Sequence, residues 1–310
     1  MRILHFSDPH FDLSLHAIPW KKWFGKRAIG ALNLLGGRGK RFDEAEEKIE
    51  ALARFSSRQG VDLMLCTGDY TALGLYSELE NAAKLIEILS KSCDTYITIP
   101  GNHDVYSIDA IRGGHFPLFF GEYMGTDCPE FLSDDIWPFV RLFGHNVAVI
   151  GLNSAKPNPI PWRSDGHIPT VQLDSFRKIV QDERIRDRFI FVMTHYAART
   201  ERDEPDTRLH GLSNADEFLD ICSTIRRGAI LNGHIHRCYS VQPAGVNIYQ
   251  YCAGSISMDG REGFWLFDIE DDNMEAKRGV YENGEFVLIE CVTKTSETGK
   301  NDRTIKDVDA

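Results

Sequence analysis

No stretch of the chain reaches the roughly 18 consecutive apolar residues that a membrane-spanning helix needs. The opening residues, Met1-Arg-Ile-Leu-His-Phe-Ser-Asp8, lack the long apolar segment and small-residue cleavage site of a secretory signal. They read instead as a short strand running straight into polar residues. No CxxC spacing occurs among the seven cysteines, Cys66, Cys93, Cys128, Cys222, Cys238, Cys252 and Cys291. An odd count without paired spacing argues against a zinc knuckle or a disulfide framework and for reduced thiols, so the expected compartment is the cytoplasm. Positive charge is also scarce: 35 Lys and Arg against 46 Asp and Glu leave a formal charge of −11. Such a surface repels nucleic acid unless cations gather locally. They gather once, between Leu13 and Phe42, where no acidic residue occurs and Lys21, Lys22, Lys26, Arg27, Arg38, Lys40 and Arg41 fall together.

With 310 residues, 42% of them hydrophobic, the chain can bury a sizeable core as one large α/β domain. Apolar runs at Arg2 to Ser7, Val61 to Thr67 and Thr95 to Ile99 predict strands, alternating with amphipathic helices at Phe42 to Gln59 and Tyr76 to Lys91. This alternation predicts a parallel sheet built from crossovers. Further strands are expected at Asn146 to Asn153, Phe189 to Thr194 and Ala229 to Asn232, with helices at Val171 to Arg184 and Asn214 to Arg227. Beyond Gly233 the pattern is all strand: Val246 to Cys252, Gly263 to Asp268, Met274 to Tyr281 and Phe286 to Val292. These suggest antiparallel hairpins, with Asn283-Gly284 as a tight turn. The expected organisation is one domain over residues 1–292 and a polar, disordered tail over 293–310. Two departures interrupt the domain: a basic, aromatic insertion at 14–41, and a glycine- and aromatic-rich excursion at 106–144 that either packs on the domain or gates it.

Chemistry concentrates where the predicted strands end. Asp8-Pro-His10, Gly68-Asp69, Gly101-Asn102-His103-Asp104, Thr194-His195 and Gly233-His234-Ile-His236 each follow an apolar run. In open α/β sheets such positions share one rim. That rim gathers carboxylates, one amide and several imidazoles, but no thiolate. Oxygen and nitrogen donors of this kind suit manganese, iron, zinc or cobalt. They are too many for one tetrahedral zinc, and two ions sharing a carboxylate and a hydroxide would use them all. Gly68, Gly101 and Gly233 are expected to let the backbone turn sharply, aiming the next side chain at a metal.

These five motifs, in this order from Asp8 to His236, resemble the calcineurin-like metallophosphoesterase family. The resemblance implies a four-layer α/β/β/α sandwich with two mixed sheets. It implies Asp8, His10 and His236 on a first metal, Asn102, His195 and His234 on a second, and Asp69 bridging the two. It further implies that His103 faces the substrate, oriented by Asp104. Two cations would activate a bridging hydroxide for in-line attack on phosphorus, with His103 protonating the departing alkoxide. Two positions depart from the usual pattern: Pro9 where leucine is common, and Tyr196-Ala197 where a second histidine and a proline are common. Neither removes a ligand.

The resemblance leans toward the bacterial cyclic-nucleotide phosphodiesterase branch, so a small phosphodiester is the first expected substrate. A pyrophosphohydrolase acting on a nucleotide-sugar or lipid-linked substrate is the alternative, favoured by the basic insertion. A nuclease and a catalytically silent scaffold are lesser readings. Arg199, Arg208 and His210, following the His195 loop, are candidate substrate contacts because guanidinium pairs well with phosphate. Asn153, at another strand end, joins them. No nucleic-acid partner is expected, and residues 20–41 are a candidate for peripheral membrane contact through Lys21, Lys22 and Lys26.

Overall fold

Short apolar runs form the strands of this protein, and the longer amphipathic stretches between them form helices. The computed structural model describes residues 1–11, 44–106, 108–158, 160 and 162–295. The basic insertion, including the candidate membrane contact at 20–41, therefore lies outside the described residues. Among the described residues, no helix is long and apolar enough to cross a membrane.

The first half alternates as expected: β1 (Arg2–Phe6), α1 (Ala45–Gln59), β2 (Leu63–Cys66), α2 (Tyr76–Ser90) and β3 (Thr95–Thr98). Two short helices follow, α3 (Ile108–Arg112) and α4 (His115–Phe120), then β4 (Phe139–Phe143) and β5 (Val147–Gly151). The remainder comprises α5 (Thr170–Ile179), β6 (Phe189–Met193), α6 (Ala215–Cys222), β7 (Gly228–Asn232), β8 (Cys238–Val241), β9 (Tyr249–Ala253), β10 (Phe264–Glu270), β11 (Asn273–Glu282) and β12 (Glu285–Thr295). They build two six-stranded sheets, ordered β12-β11-β10-β1-β2-β3 and β4-β5-β6-β7-β9-β8. Both are mixed, and helices flank each, giving the four-layer α/β/β/α sandwich.

The sheets meet through aromatic side chains. Phe267 lies 5.4 Å from Phe191 and 5.0 Å from Tyr251, ring centre to ring centre. On the outer side of the first sheet, α1 sets Phe55 against Phe264 at 4.9 Å. On the outer side of the second, Leu173 and Phe176 of α5 and Phe218 of α6 bury Ile150, Ile190 and Val192. The fully buried runs Val147–Gly151 and Phe189–Met193 are covered on both faces, which explains their unbroken apolar character.

Several expectations need correction. The strand at Val246 to Cys252 is a hairpin arm on one side only: β8, missed in the sequence, pairs antiparallel with β9, while on its other edge β9 pairs parallel with β7. The meander β10-β11-β12 is antiparallel as expected, and Asn283 and Gly284 take the positive φ of a tight turn, 52° and 84°. β12 continues to Thr295, past the expected start of the tail. The helices expected to reach Arg184 and Arg227 stop at Ile179 and Cys222. The excursion at 106–144 ends in a regular strand, because β4 joins β5 as an edge of the second sheet. Its aromatics pack inward: Phe120 stacks on Tyr70 at 4.5 Å and on Phe116 at 4.8 Å.

His5 sits fully buried on β1, with Nε2 paired to Thr67 Oγ1 at 3.1 Å. Burial lowers its pKa from 6.5 to about 3, against a smaller opposing pull from Asp8. Below the unfolded value of 6.5 the unfolded chain takes up a proton that the folded chain refuses. Stability is thus full at neutral pH and falls on acidification, by up to about 1.4 kcal/mol per pH unit from this residue alone. Urea unfolding of wild type and His5→Gln between those two pKa values should show a shallower acid decline in the variant.

Candidate metal centre

The parallel strands β1, β2 and β3 of one sheet and β6 and β7 of the other end on the same rim, and the loops beyond them converge there. Asp8 and His10 follow β1, Asp69 follows β2, Asn102 and His103 follow β3, His195 follows β6, and His234 and His236 follow β7. Asp8, His10, Asp69 and His236 place one donor atom each within 4.8 Å of one another, and Asp69, His195 and His234 do the same. Asp69 is common to both groups.

Backbone carbonyls fix the imidazoles. A carbonyl can only accept, so the ring nitrogen facing it carries the proton and the other nitrogen presents its lone pair. His10 Nδ1 donates to Thr71 O at 3.1 Å, and His195 Nδ1 to Thr67 O at 2.7 Å. His234 Nε2 donates to His210 O at 3.0 Å. The inward donors are therefore His10 Nε2, His195 Nε2 and His234 Nδ1. His10 Nε2 lies 3.2 Å from His236 Nε2, which lies 3.1 Å from Asp8 Oδ1. On the other side, Asn102 Oδ1 is 3.1 Å from His195 Nε2 and 2.9 Å from His234 Nδ1. Asp69 Oδ2 stands between the groups, 3.9 Å from His10 Nε2 and 3.3 Å from His195 Nε2. Donors held about 2.0–2.2 Å from a common ion must lie close to one another in this way. Imidazole lone pairs converging on carboxylate oxygens, with no thiolate among them, fit two divalent cations.

The backbone bends sharply to achieve this. Asp8, His10, Asp69, His234 and His236 all have positive φ, at 54°, 39°, 64°, 66° and 53°. Left-handed geometry costs a non-glycine residue on the order of 1–3 kcal/mol, so the surroundings must hold it. Bonds between neighbouring loops do so: Asp8 N to Gly68 O, 2.9 Å, His10 N to Asp69 O, 3.0 Å, and Gly233 N to His195 O, 3.0 Å. Of the three expected turn glycines only Gly68 has positive φ. Gly101 and Gly233 serve close approach instead. A Cβ on Gly101 would meet Asp69 Oδ1 at 2.1 Å, and one on Gly233 would meet Ser7 Oγ at 1.9 Å.

Burial opposes ionisation of Asp8 and Asp69 more than any other single influence, yet the surrounding histidines outweigh it. His236 and His10 hold Asp8 well below the carboxylate range, and His195 and His103 do the same for Asp69. Burial likewise works against a charge on His195, but Asp69 reverses it and raises the imidazole to about 9. His234 is driven down to about 3 by burial and then by the His195 charge. Cations binding here compete with protons for the same lone pairs.

The GNHD loop departs from expectation. His103 is half-buried, with Nδ1 donating to Ala72 O at 2.7 Å and its ring stacked on Tyr106 at 5.5 Å. Asp104 does not orient it. The buried Asp104 carboxylate accepts from the N–H groups of Asp69 at 2.8 Å, Tyr70 at 2.9 Å, Thr71 at 3.1 Å and Gly101 at 2.9 Å. It therefore ties the loop of Asp69 to that of Asn102 and shapes the site from behind. Burial first, then the nearby Asp69, push the Asp104 carboxyl up to about 7.

The candidate substrate contacts disperse. Arg199 is committed to Asp216 at 2.6 Å and to Ala198 O at 2.9 Å. Asn153 Oδ1 accepts from Ala155 N at 3.0 Å, closing its own turn. Arg208 is exposed. His210 reaches the site through its carbonyl on His234, while its ring pairs with Ser164 Oγ at 2.7 Å. The carbonyls of Thr67, Thr71, Ala72 and His210 were not foreseen, since a backbone group leaves no residue-type signal. Tyr196, where the family pattern often has histidine, packs its ring 4.3 Å from that of His234.

A sequence model of calcineurin-like phosphoesterases matches residues 1–238. No curated protein matches by sequence. Among solved structures, a dimetal phosphatase from Danio rerio superposes with a TM-score of 0.64 at 12% identity, covering 93% of this chain and 98% of that one. A purple acid phosphatase from yellow lupin (Lupinus luteus) seeds gives 0.58 at 12% identity, covering 93% of this chain and 52% of that one. At such identities these two likenesses speak for the fold alone.

Metal analysis of manganese-reconstituted protein tests the donor assignment. Asp69→Ala should lose bound metal, whereas His103→Ala should retain it at the wild-type level. Equal losses in both would make His103 a ligand and contradict its separate placement.

Proposed function

The chain belongs to the calcineurin-like phosphoesterase family, whose members hydrolyse phosphoric esters at a dinuclear divalent metal centre, and from that premise we propose that it is a phosphodiesterase. Asp8, His10 and His236 would hold one cation, Asn102, His195 and His234 the other, and Asp69 would serve both. The donor set accepts manganese, iron, zinc or cobalt. Two such cations, when bound, supply Lewis-acid polarisation of the phosphoryl group and of the attacking water.

The protein's own groups do the rest. Asp69 keeps one carboxylate oxygen on the His103 amide, at 2.7 Å, and the other toward His10 and His195. Its orientation is thereby set before substrate arrives. With Nδ1 of His103 donating to Ala72 O, a proton for the departing alkoxide sits on Nε2 in the doubly protonated imidazolium form of the ring. Tyr106, stacked on that ring, limits its rotation.

The observation that carries the diester preference is the engagement of the Arg199 guanidinium. Arg199 is bound by Asp216, and Arg237, beside His236, lies 3.7 Å from Glu201. Arg199, so held, is withheld from the second negative charge of a phosphomonoester, whereas the exposed Arg237–Glu201 contact is too weak to withhold Arg237. The overall charge of −11 further disfavours a dianion relative to a singly charged diester. The six described cysteines carry no disulfide, in keeping with a reducing, cytoplasmic setting.

Metal-loaded protein assayed against p-nitrophenyl phosphate, bis-p-nitrophenyl phosphate, cyclic nucleotides and pyrophosphate diesters decides among substrates. The reading expects higher kcat/KM for the diesters than for the monoester. A monoester preference contradicts it, and a pyrophosphate preference favours a pyrophosphohydrolase. On the preferred diester, His103→Ala should lower kcat by roughly 10²–10⁴-fold. Arg199→Ala should leave KM close to wild type.

A further inference from the structure

Lys48 stands on the buried face of α1, with only 1% of its side chain exposed. Its ammonium donates to Ser257 O at 3.0 Å, Asp259 Oδ1 at 2.5 Å and Glu262 Oε1 at 2.8 Å. All three acceptors lie in the loop joining β9 to β10. Burial works against the charge, but the two carboxylates outweigh it and keep the amine protonated.

That loop grips the first ligand motif from behind. Ile256 N donates to Ser7 O at 3.0 Å, Ser255 Oγ to Asp8 O at 2.7 Å and Ser257 Oγ to Pro9 O at 2.5 Å. Asp8 and His10 flank these contacts with φ of 54° and 39°, a conformation the free backbone would relax away from. A chain of direct contacts thus runs from the ammonium, through the loop, to the carbonyls that hold Asp8 and His10 in their strained geometry.

We propose that Lys48 is a positioning residue for the cation held by Asp8, His10 and His236, and that it sets the affinity of that half of the centre by locking the Ser255–Glu262 loop against the Asp8-Pro9 backbone. The inference rests on the cation-binding reading of those residues. A role in bulk stability alone does not account for the arrangement. Buried ion pairs are weak contributors to net stability, and well-packed apolar replacements are often neutral. Here every hydrogen-bond acceptor of the ammonium belongs to a single loop, and that loop braces a ligand motif.

The test titrates full-length protein with Mn²⁺ by calorimetry and follows amide hydrogen exchange. Lys48→Met should weaken one of the two Mn²⁺ sites by about 10- to 100-fold, the usual effect of removing a group that orients a ligand, and leave the other site near wild type. Exchange at Ile256 and His10 should accelerate, and Lys48→Arg should recover part of the affinity. A folded Lys48→Met protein that binds both ions like wild type overturns the proposal. If Lys48→Met does not fold, Ser257→Ala decides, since it cuts the bond to Pro9 and spares the ion pairs. Weakened binding at one site supports the proposal, and unchanged binding overturns it. Wild-type protein that binds no Mn²⁺ would overturn the metal-centre reading itself.

Discussion

The placement of one carboxylate governs the rest of the site. Asp69 has positive φ, accepts the His103 amide on Oδ1, and directs Oδ2 toward histidines of both donor groups. One of those histidines, His10, follows a strand of the first sheet, and the other, His195, follows a strand of the second. The spacing of the two groups is therefore set by how the two sheets pack. Phe191, Tyr251, Trp265 and Phe267 form part of the surface that fixes this packing. A close-packed aromatic interface deforms little, so it can hold donor atoms on opposite sheets in register.

Strain at the rim and order behind it go together. Five of the seven candidate donor residues adopt a backbone that side chains disfavour, and Asp8, His10, Asp69 and His234 among them are braced by groups outside the donor set. Asp104 collects amides from both adjacent loops, Thr67 and Thr71 hold imidazoles by their carbonyls, and Ser255 and Ser257 hold the Asp8-Pro9 backbone. Lys48 extends this bracing to the helical layer. The donors are thus oriented before any cation or substrate arrives, and preorganisation of this kind avoids reorganisation during reaction.

Much of this was legible in the amino-acid order, and the reasons differ by element. The convergence of these side chains on one rim was legible because carboxylate, amide and imidazole at successive strand ends form a pattern with few other uses. The parallel half was legible because strands buried on both faces read as unbroken apolar runs, as Phe189–Met193 does. The parallel pairing of β9 was not, since an apolar run carries no record of its neighbour's direction. β8 was missed because Cys238–Val241 is short and carries no apolar run or clear alternation. Asp104 was misread because adjacency to His103 suggested that ring as its partner, whereas it accepts from backbone amides up to 35 residues away and from the Thr71 hydroxyl. Lys48 could have been noticed: three residues after Ala45 and four before Leu52, it lies on the stripe that α1 buries.

The most direct test of the account is electron paramagnetic resonance of the manganese-loaded protein, which reports whether two bound ions share a ligand. A spin-coupled pair in wild type, replaced in Asp69→Asn by the signal of isolated ions or by none, is the result the shared carboxylate requires. Isolated, uncoupled Mn²⁺ in fully loaded wild-type protein would contradict it.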